Sequence, residues 1–267
     1  MTELLDALLV FAILFGSGLL GLFVRPLLAE HHRSMDTLEL VRLVTTMLLT
    51  FAAIVLGLLT TSVKSSYDTV STDLRGMGFN LIRLDQSMRA YGPETDKARG
   101  VLRQYATEVI ATTWPREPAP PGADPSFPLS HRAHNTRLES PALGDMLSEI
   151  EGMLRRLHPS DAMQQRLQNY AMSQYERLNA RRWKLIEEAE SSISRPFYVV
   201  MIFWLSVMFL GFGLSAQRNL LVLVMIGLGA GAIASVVFVI VDLDTPFTGL
   251  FGMSSQPIRE ALDQMSR

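Results

Sequence analysis

There is no cysteine among the 267 residues. That excludes disulfides, a thiolate nucleophile and cysteine-ligated metal. Charge is scarce too: Asp, Glu, Lys and Arg make up 19% of the chain against 48% hydrophobic residues, with a mean hydropathy of +0.22. A net charge of -2 supplies no basic field for nucleic acid. No GxxxxGK[ST] phosphate loop, GxSxG elbow or HExxH pair occurs. Acid, base and nucleophile groupings are missing as well, so the expectation is a non-enzyme without cofactor. His31 and His32 are adjacent, and His131 and His134 stand in a proline-rich stretch without an evident third ligand. No metal site is expected there.

What the chain has in abundance is uncharged apolar runs. Four of them, about Ala7–Val24, Leu43–Val63, Phe197–Ala216 and Leu220–Val241, are each long enough to cross ~30 Å of hydrocarbon at 1.5 Å per residue. A small globular core could hide one such run but not four. The leading MTELLD is acidic where a secretory signal is basic, and no A-x-A site follows, so the first run reads as a retained span.

The expected architecture is therefore an all-α integral membrane protein. Four transmembrane helices form two hairpins, with a helical extramembrane domain inserted between the second and third. The pieces are residues 1–63 (first hairpin), 64–195 (inserted domain), 196–241 (second hairpin) and 242–267 (tail). Four spans put both termini and the inserted domain on one side. Lys64, Arg75, Arg181, Arg182, Lys184 and Arg195 flank the spans on that side, against Arg25, Arg33 and Arg218 opposite and Arg42 at the edge. The positive-inside rule then makes the domain cytoplasmic.

Within the domain, helical periodicity covers Pro93–Thr113, where Val101, Leu102, Tyr105, Val109 and Ile110 share a face. A proline-rich loop occupies about 115–141. Leu143, Leu147, Ile150, Leu154 and Leu157 mark another helix, ended by Pro159. Ser160 is a candidate cap for a long helix running to Arg195. No stretch alternates with period two, so no sheet is expected. Arg181 and Arg182 beside Trp183 suit either lipid headgroups or plain interfacial solvation.

Residues 67–91 carry Tyr67, Val70, Leu74, Met77, Leu81, Leu84, Met88 and Tyr91 in strict steps of three and four. The same phase runs back through Val63, Thr60, Leu56, Ala53 and Leu49 into the second span. One helix leaving the bilayer without a break explains this, ~75 Å long from Leu43 to Tyr91. Its seam needs an apolar partner. That partner is either the other helices of the domain or the same helix in neighbouring copies.

A second face of that span carries Thr46, Thr50, Ala53, Gly57, Thr60 or Thr61, Lys64 and Asp68. Small and hydroxylated side chains serve close helix packing, with each Thr bonded to its own i−4 carbonyl. They equally suit a water-filled pore in which hydroxyls replace an ion's hydration and Lys64 attracts anions at the mouth. Gly227, Gly231 and Ser235, and the cluster Gly16, Ser17, Gly18 and Gly21, are expected to be packing devices.

The string VDLDTPFTGLFG closes the last span. Asp242 and Asp244 stand at a helix C-terminus, where negative charge is unfavourable. Pro246 stops the helix, and Phe247, Leu250 and Phe251 can return to the membrane surface. The string is either a structural turn or a gating or ion-sensing element.

Asp-x-Pro-Phe-x-Gly at the end of the fourth span, followed by a proline such as Pro257 before a short amphipathic helix, resembles the bacterial membrane family called bestrophin-like. The two-hairpin layout with a helical insert is similar too. The resemblance implies a multi-pass protein of the bacterial inner membrane and an oligomeric, pentameric ion channel, anion-conducting in true bestrophins, whose partners are lipid, its own copies and small inorganic ions. It makes Thr46, Thr50 and Thr61 pore candidates on the second span, and Gly57 and Lys64 join them as members of the same stripe. Asp242, Asp244, Pro246 and Phe247 stay the gating or ion-sensing candidates that their place at the helix end suggests. The dense acidic calcium clasp of animal bestrophins is absent, and Phe51, the one aromatic of the second span, lies on another face. A membrane scaffold or sensor, whose helical domain binds a partner, is the competing function.

Overall fold

The computed structural model describes residues 2–27, 35–127, 140–189 and 195–267. Among these residues eight α-helices follow in order: α1 Thr2–Val24, α2 Met35–Tyr91, α3 Asp96–Thr113, α4 Pro141–Arg155, α5 Ala162–Glu188, α6 Arg195–Ser215, α7 Leu220–Leu243 and α8 Gln256–Ser266. No strand occurs among the described residues. Four of the helices are long and apolar enough to cross a membrane: α1, α2, α6 and α7.

The long helix is unbroken. All 57 residues of α2 keep helical hydrogen bonding, which corresponds to ~85 Å. It stops at Gly92, whose φ of 134° is a conformation few other residues adopt, and Pro93 follows. The Thr95 hydroxyl, 2.6 Å from Met88 O and 2.8 Å from Gly92 O, adds a donor beside the Gly92 and Thr95 N–H groups that these carbonyls already accept.

The chain divides into two compact units, residues 1–65 with 192–244 and residues 66–191 with 245–267. In the first unit, α1 packs on α6 and α7. A side chain on Gly21 would strike Leu210 O and come within 2.9 Å of Gly213 Cα. One on Gly213 would strike Gly18 O, so the two helix backbones touch. Phe11 and Phe15 stack with centroids 5.6 Å apart and lie against Gly231 and Gly227 of α7. The expected packing role thus holds for Gly18, Gly21, Gly227 and Gly231. Nothing lies within 4 Å of the space beside Gly16, and Ser235 is exposed.

Two arginines tie the shared end of α1 and α6. Arg25, just past α1, donates to Ala216 O just past α6. Arg218 donates to Leu22 O at 3.2 Å and Phe23 O at 3.4 Å on α1, and lies over the Phe23 ring. Each cation meets the partly negative C-terminus of the other helix.

In the second unit the seam of α2 is the centre of the core. Val70, Leu74, Met77, Leu81, Leu84 and Met88 are buried against side chains of α3, α4, α5 and α8. The seam's partner is the rest of its own unit. Gly78 lets α8 approach: a side chain there would come 2.5 Å from Pro257 O. Asp85, nearly buried, takes Arg99 through both oxygens at 2.9 and 3.4 Å.

Some boundaries differ from expectation, and α2 itself starts at Met35 rather than Leu43. The cap of α5 is Asp161, which accepts from Gln164 N at 2.7 Å, while Ser160 donates its N–H and hydroxyl to the Gln164 side chain. A carboxylate is the better acceptor at a helix N-terminus, so the cap falls one residue later. That helix ends at Glu188 rather than Arg195, where α6 begins.

Candidate functional site

The membrane half of α2 is the least buried of the four spans: 6% of its window, against 28% to 33% for the others. One face packs on α6 through Leu48, Ala52, Leu56 and Leu59. Thr45, only 5% exposed, sits on this face, and its hydroxyl occupies the space that a side chain on Gly211 would need.

The candidate stripe points elsewhere. Thr46, Thr50, Gly57, Thr61 and Lys64 are all exposed in the single chain, whereas Thr60 is half-buried. Thr46 donates to Arg42 O at 2.9 Å, Thr50 to Thr46 O at 3.1 Å and Thr61 to Gly57 O at 2.9 Å. Each hydroxyl proton is thus held by its own helix, and the oxygen keeps its lone pairs for an outside donor or cation. Met47, Phe51, Ile54 and Leu58 are exposed on the neighbouring arc, so the surface of α2 is divided lengthwise into a polar strip and an apolar one.

The four residues of the C-terminal string are divided between the units. Asp242, 1% exposed, and Asp244 belong to the first, and Pro246 and Phe247 to the second. Asp244 caps α7, its N–H bonded to Ile240 O at 3.1 Å. Pro246 O accepts from Met253 N at 2.8 Å and closes a compact loop. Phe247 does not return to a membrane surface. It is a core residue, 8% exposed and edge-on to Trp114.

A strap of residues just after α3 fixes this loop. The Trp114 indole donates to Met253 O at 2.6 Å, and Arg116 donates to Thr248 O at 3.1 Å. Glu117 accepts from the Ser255 N–H at 3.1 Å, from the Ser255 hydroxyl and from Arg259 Nε at 3.3 Å. Burial alone would push the Glu117 carboxyl up, but the Ser255 bonds and the Arg259 cation outweigh it and hold it below the ordinary range. None of these partners was singled out from sequence. Their signal is weak, because Trp114 and Met253 are 139 positions apart.

His31, His32, His131 and His134 lie outside the described residues. Among the described residues no group of three or more potential ligands is placed to hold a metal ion.

The chain belongs to the bestrophin-like family: the family's bestrophin-like domain matches residues 11–258. No curated protein and no solved structure matches it.

Proposed function

We propose that this member of the bestrophin-like family is one subunit of an oligomeric ion channel in which the polar strip of α2 lines the conducting path. Thr46, Thr50, Gly57 and Thr61 form the wall, and Lys64 stands at its mouth. The observation that carries this reading is the exposure of all five residues on the least buried span. Hydroxyls and a lysine facing hydrocarbon are costly, and a central aqueous path among copies removes that cost. Family membership favours a pentamer and anions as the permeant class.

The layout proposed with it is two hairpins, residues 1–63 and 196–241, with the helical insert 64–195 on the cytoplasmic side of a bacterial inner membrane. The tail 242–267 returns to that side. Asp242 and Asp244 are proposed as the gating pair, with Pro246 and Phe247 anchoring the chain beyond them.

The second reading is a non-conducting scaffold or sensor whose helical unit binds a partner. It draws on the i−4 bonds of Thr46, Thr50 and Thr61, since hydroxyls so engaged need no water. Ion flux into liposomes loaded with the purified chain separates the two. The channel reading expects flux above that of empty liposomes. Absence of flux at every pH and voltage tried contradicts it and favours the scaffold.

A further inference from the structure

Arg177, Arg181 and Lys184 of α5 outnumber the two carboxylates, Asp73 and Glu188, that pair with this cluster. Arg177, Arg181 and Lys184 recur at steps of four and three and so share one helix face. Like charges at that spacing oppose a helix, so such a face needs a counter-charge. Asp73 of α2 supplies part of it, 3.1 Å from Arg181 Nη1 and 2.6 Å from Lys184 Nζ. Lys184 also reaches Glu188 at 3.4 Å. Arg177 is exposed and makes no ion pair among the described residues. Arg181 is paired through one nitrogen only, which leaves the rest of its guanidinium fork for another acceptor.

These groups line an open cleft. Its volume is ≈ 450 Å³, and its walls are Asp73, Phe79, Asn80, Arg177, Ala180, Arg181 and Lys184. That size suits a small ligand. Asn80 is 6% exposed and adds an amide to the wall. Phe79 is 55% exposed and offers an apolar flank, with the Arg83 guanidinium 5.0 Å over its ring as a further cation at the rim. Counting Arg177, Arg181 and Lys184 against Asp73 and Glu188, one positive charge is left over within the cluster. Guanidinium forks match tetrahedral oxyanions better than they match chloride, because two N–H groups meet two oxygens at once.

We propose that this cleft between α2 and α5 binds an oxyanion of the phosphate class, with Arg177 and the unused part of the Arg181 fork as its principal donors and Lys184 and the Asn80 amide beside them. The phosphate is carried either by the headgroup of an anionic phospholipid or by a free phosphate. The site does not depend on ion conduction and shares no residue with the strip on α2.

The test uses the purified full chain in a neutral detergent. Thermal unfolding is followed while inorganic phosphate, a short-chain phosphatidylglycerol or a short-chain phosphatidylcholine is titrated, with chloride matching the ionic strength. Binding to the folded state raises the midpoint with saturation. The expected result is a saturable rise with phosphatidylglycerol, none with matched chloride, and a weaker rise or none with phosphatidylcholine. A rise with inorganic phosphate as well assigns the site to free phosphate and headgroup alike. A rise with phosphatidylglycerol alone assigns it to the headgroup. Arg177→Gln weakens the apparent affinity by about tenfold or more, and Arg181→Lys, which keeps the charge but loses the fork, weakens it too. Arg166→Gln, on the same helix and exposed, leaves it unchanged. No saturable rise with any phosphate, equal response to phosphatidylcholine, or an Arg177→Gln titration matching that of Arg166→Gln overturns the proposal.

Discussion

The ring of Phe247 stands edge-on to that of Trp114, centroids 5.6 Å apart at 78°, and the same indole donates its N–H to Met253 O at 2.6 Å. A phenylalanine in the most specific string of the sequence is thus a structural anchor. It fastens the segment beyond α7 into the core of the helical unit.

Removing that anchor has a stated cost. Phe247→Ala is expected to destabilise the helical unit by about 3–5 kcal/mol, the usual range for deleting a buried ring. Trp114→Phe keeps most of the ring but leaves Met253 O unpaired, at about 1–3 kcal/mol. Denaturant unfolding measures both. Limited proteolysis adds a local readout, with faster cleavage after Asp244 in Phe247→Ala than in the parent chain.

The α1–α6 contact predicts a steep size dependence. Gly21→Leu and Gly213→Leu force apart backbones already in contact, with expected losses of about 1–3 kcal/mol or more. Gly16→Ala meets nothing within 4 Å and gains helix propensity, so it is expected to be neutral or stabilising by up to ~1 kcal/mol. Thermal midpoints of the three variants in detergent check the order.

Two carboxylates of the helical unit set opposite pH trends. Glu117 is held below its ordinary range in the folded state by the Ser255 bonds and Arg259, against the opposing effect of burial. The unfolded chain therefore binds its proton first. Its contribution is present above the ordinary carboxylate range and is lost as pH falls through the lowered folded value. Glu188 is raised by burial and by Asp73, so its contribution is present at low pH and is lost as pH rises through the raised value. Unfolding free energy measured across the acid range should lose part of its acid limb in Glu117→Gln. Glu188→Gln should lose part of the decline on the rising-pH side.

Much of the fold was legible in the sequence because its signal was periodic. The 3-4 seam from Val70 to Met88 and the apolar runs each repeat a local rule many times, so the unbroken α2 and the four long apolar helices followed. Contacts made once were not legible. Gly211 and Gly213 are single small residues whose meaning depends on Thr45 and Gly18 far away in the chain. Trp114, Glu117 and Arg259 form the strap only after folding brings distant segments together. An aromatic after a span, such as Phe247, looks the same in sequence whether it meets lipid or a core. Arg182, read alongside Arg181, is buried at 3% exposure while Arg181 lines a cleft, a separation set by one step around the helix.

The pore reading turns on which strip of α2 meets water. The chain has no native cysteine, so single cysteines report without background. Thr46→Cys, Thr50→Cys and Thr61→Cys, with Met47→Cys, Ile54→Cys and Leu58→Cys on the adjoining strip, are to be treated in liposomes with a charged, membrane-impermeant thiol reagent while ion flux is recorded. Rapid modification and reduced flux are expected at 46, 50 and 61, with protection at 47, 54 and 58. Protection of all three threonine positions, or modification that follows the apolar strip instead, contradicts the pore reading.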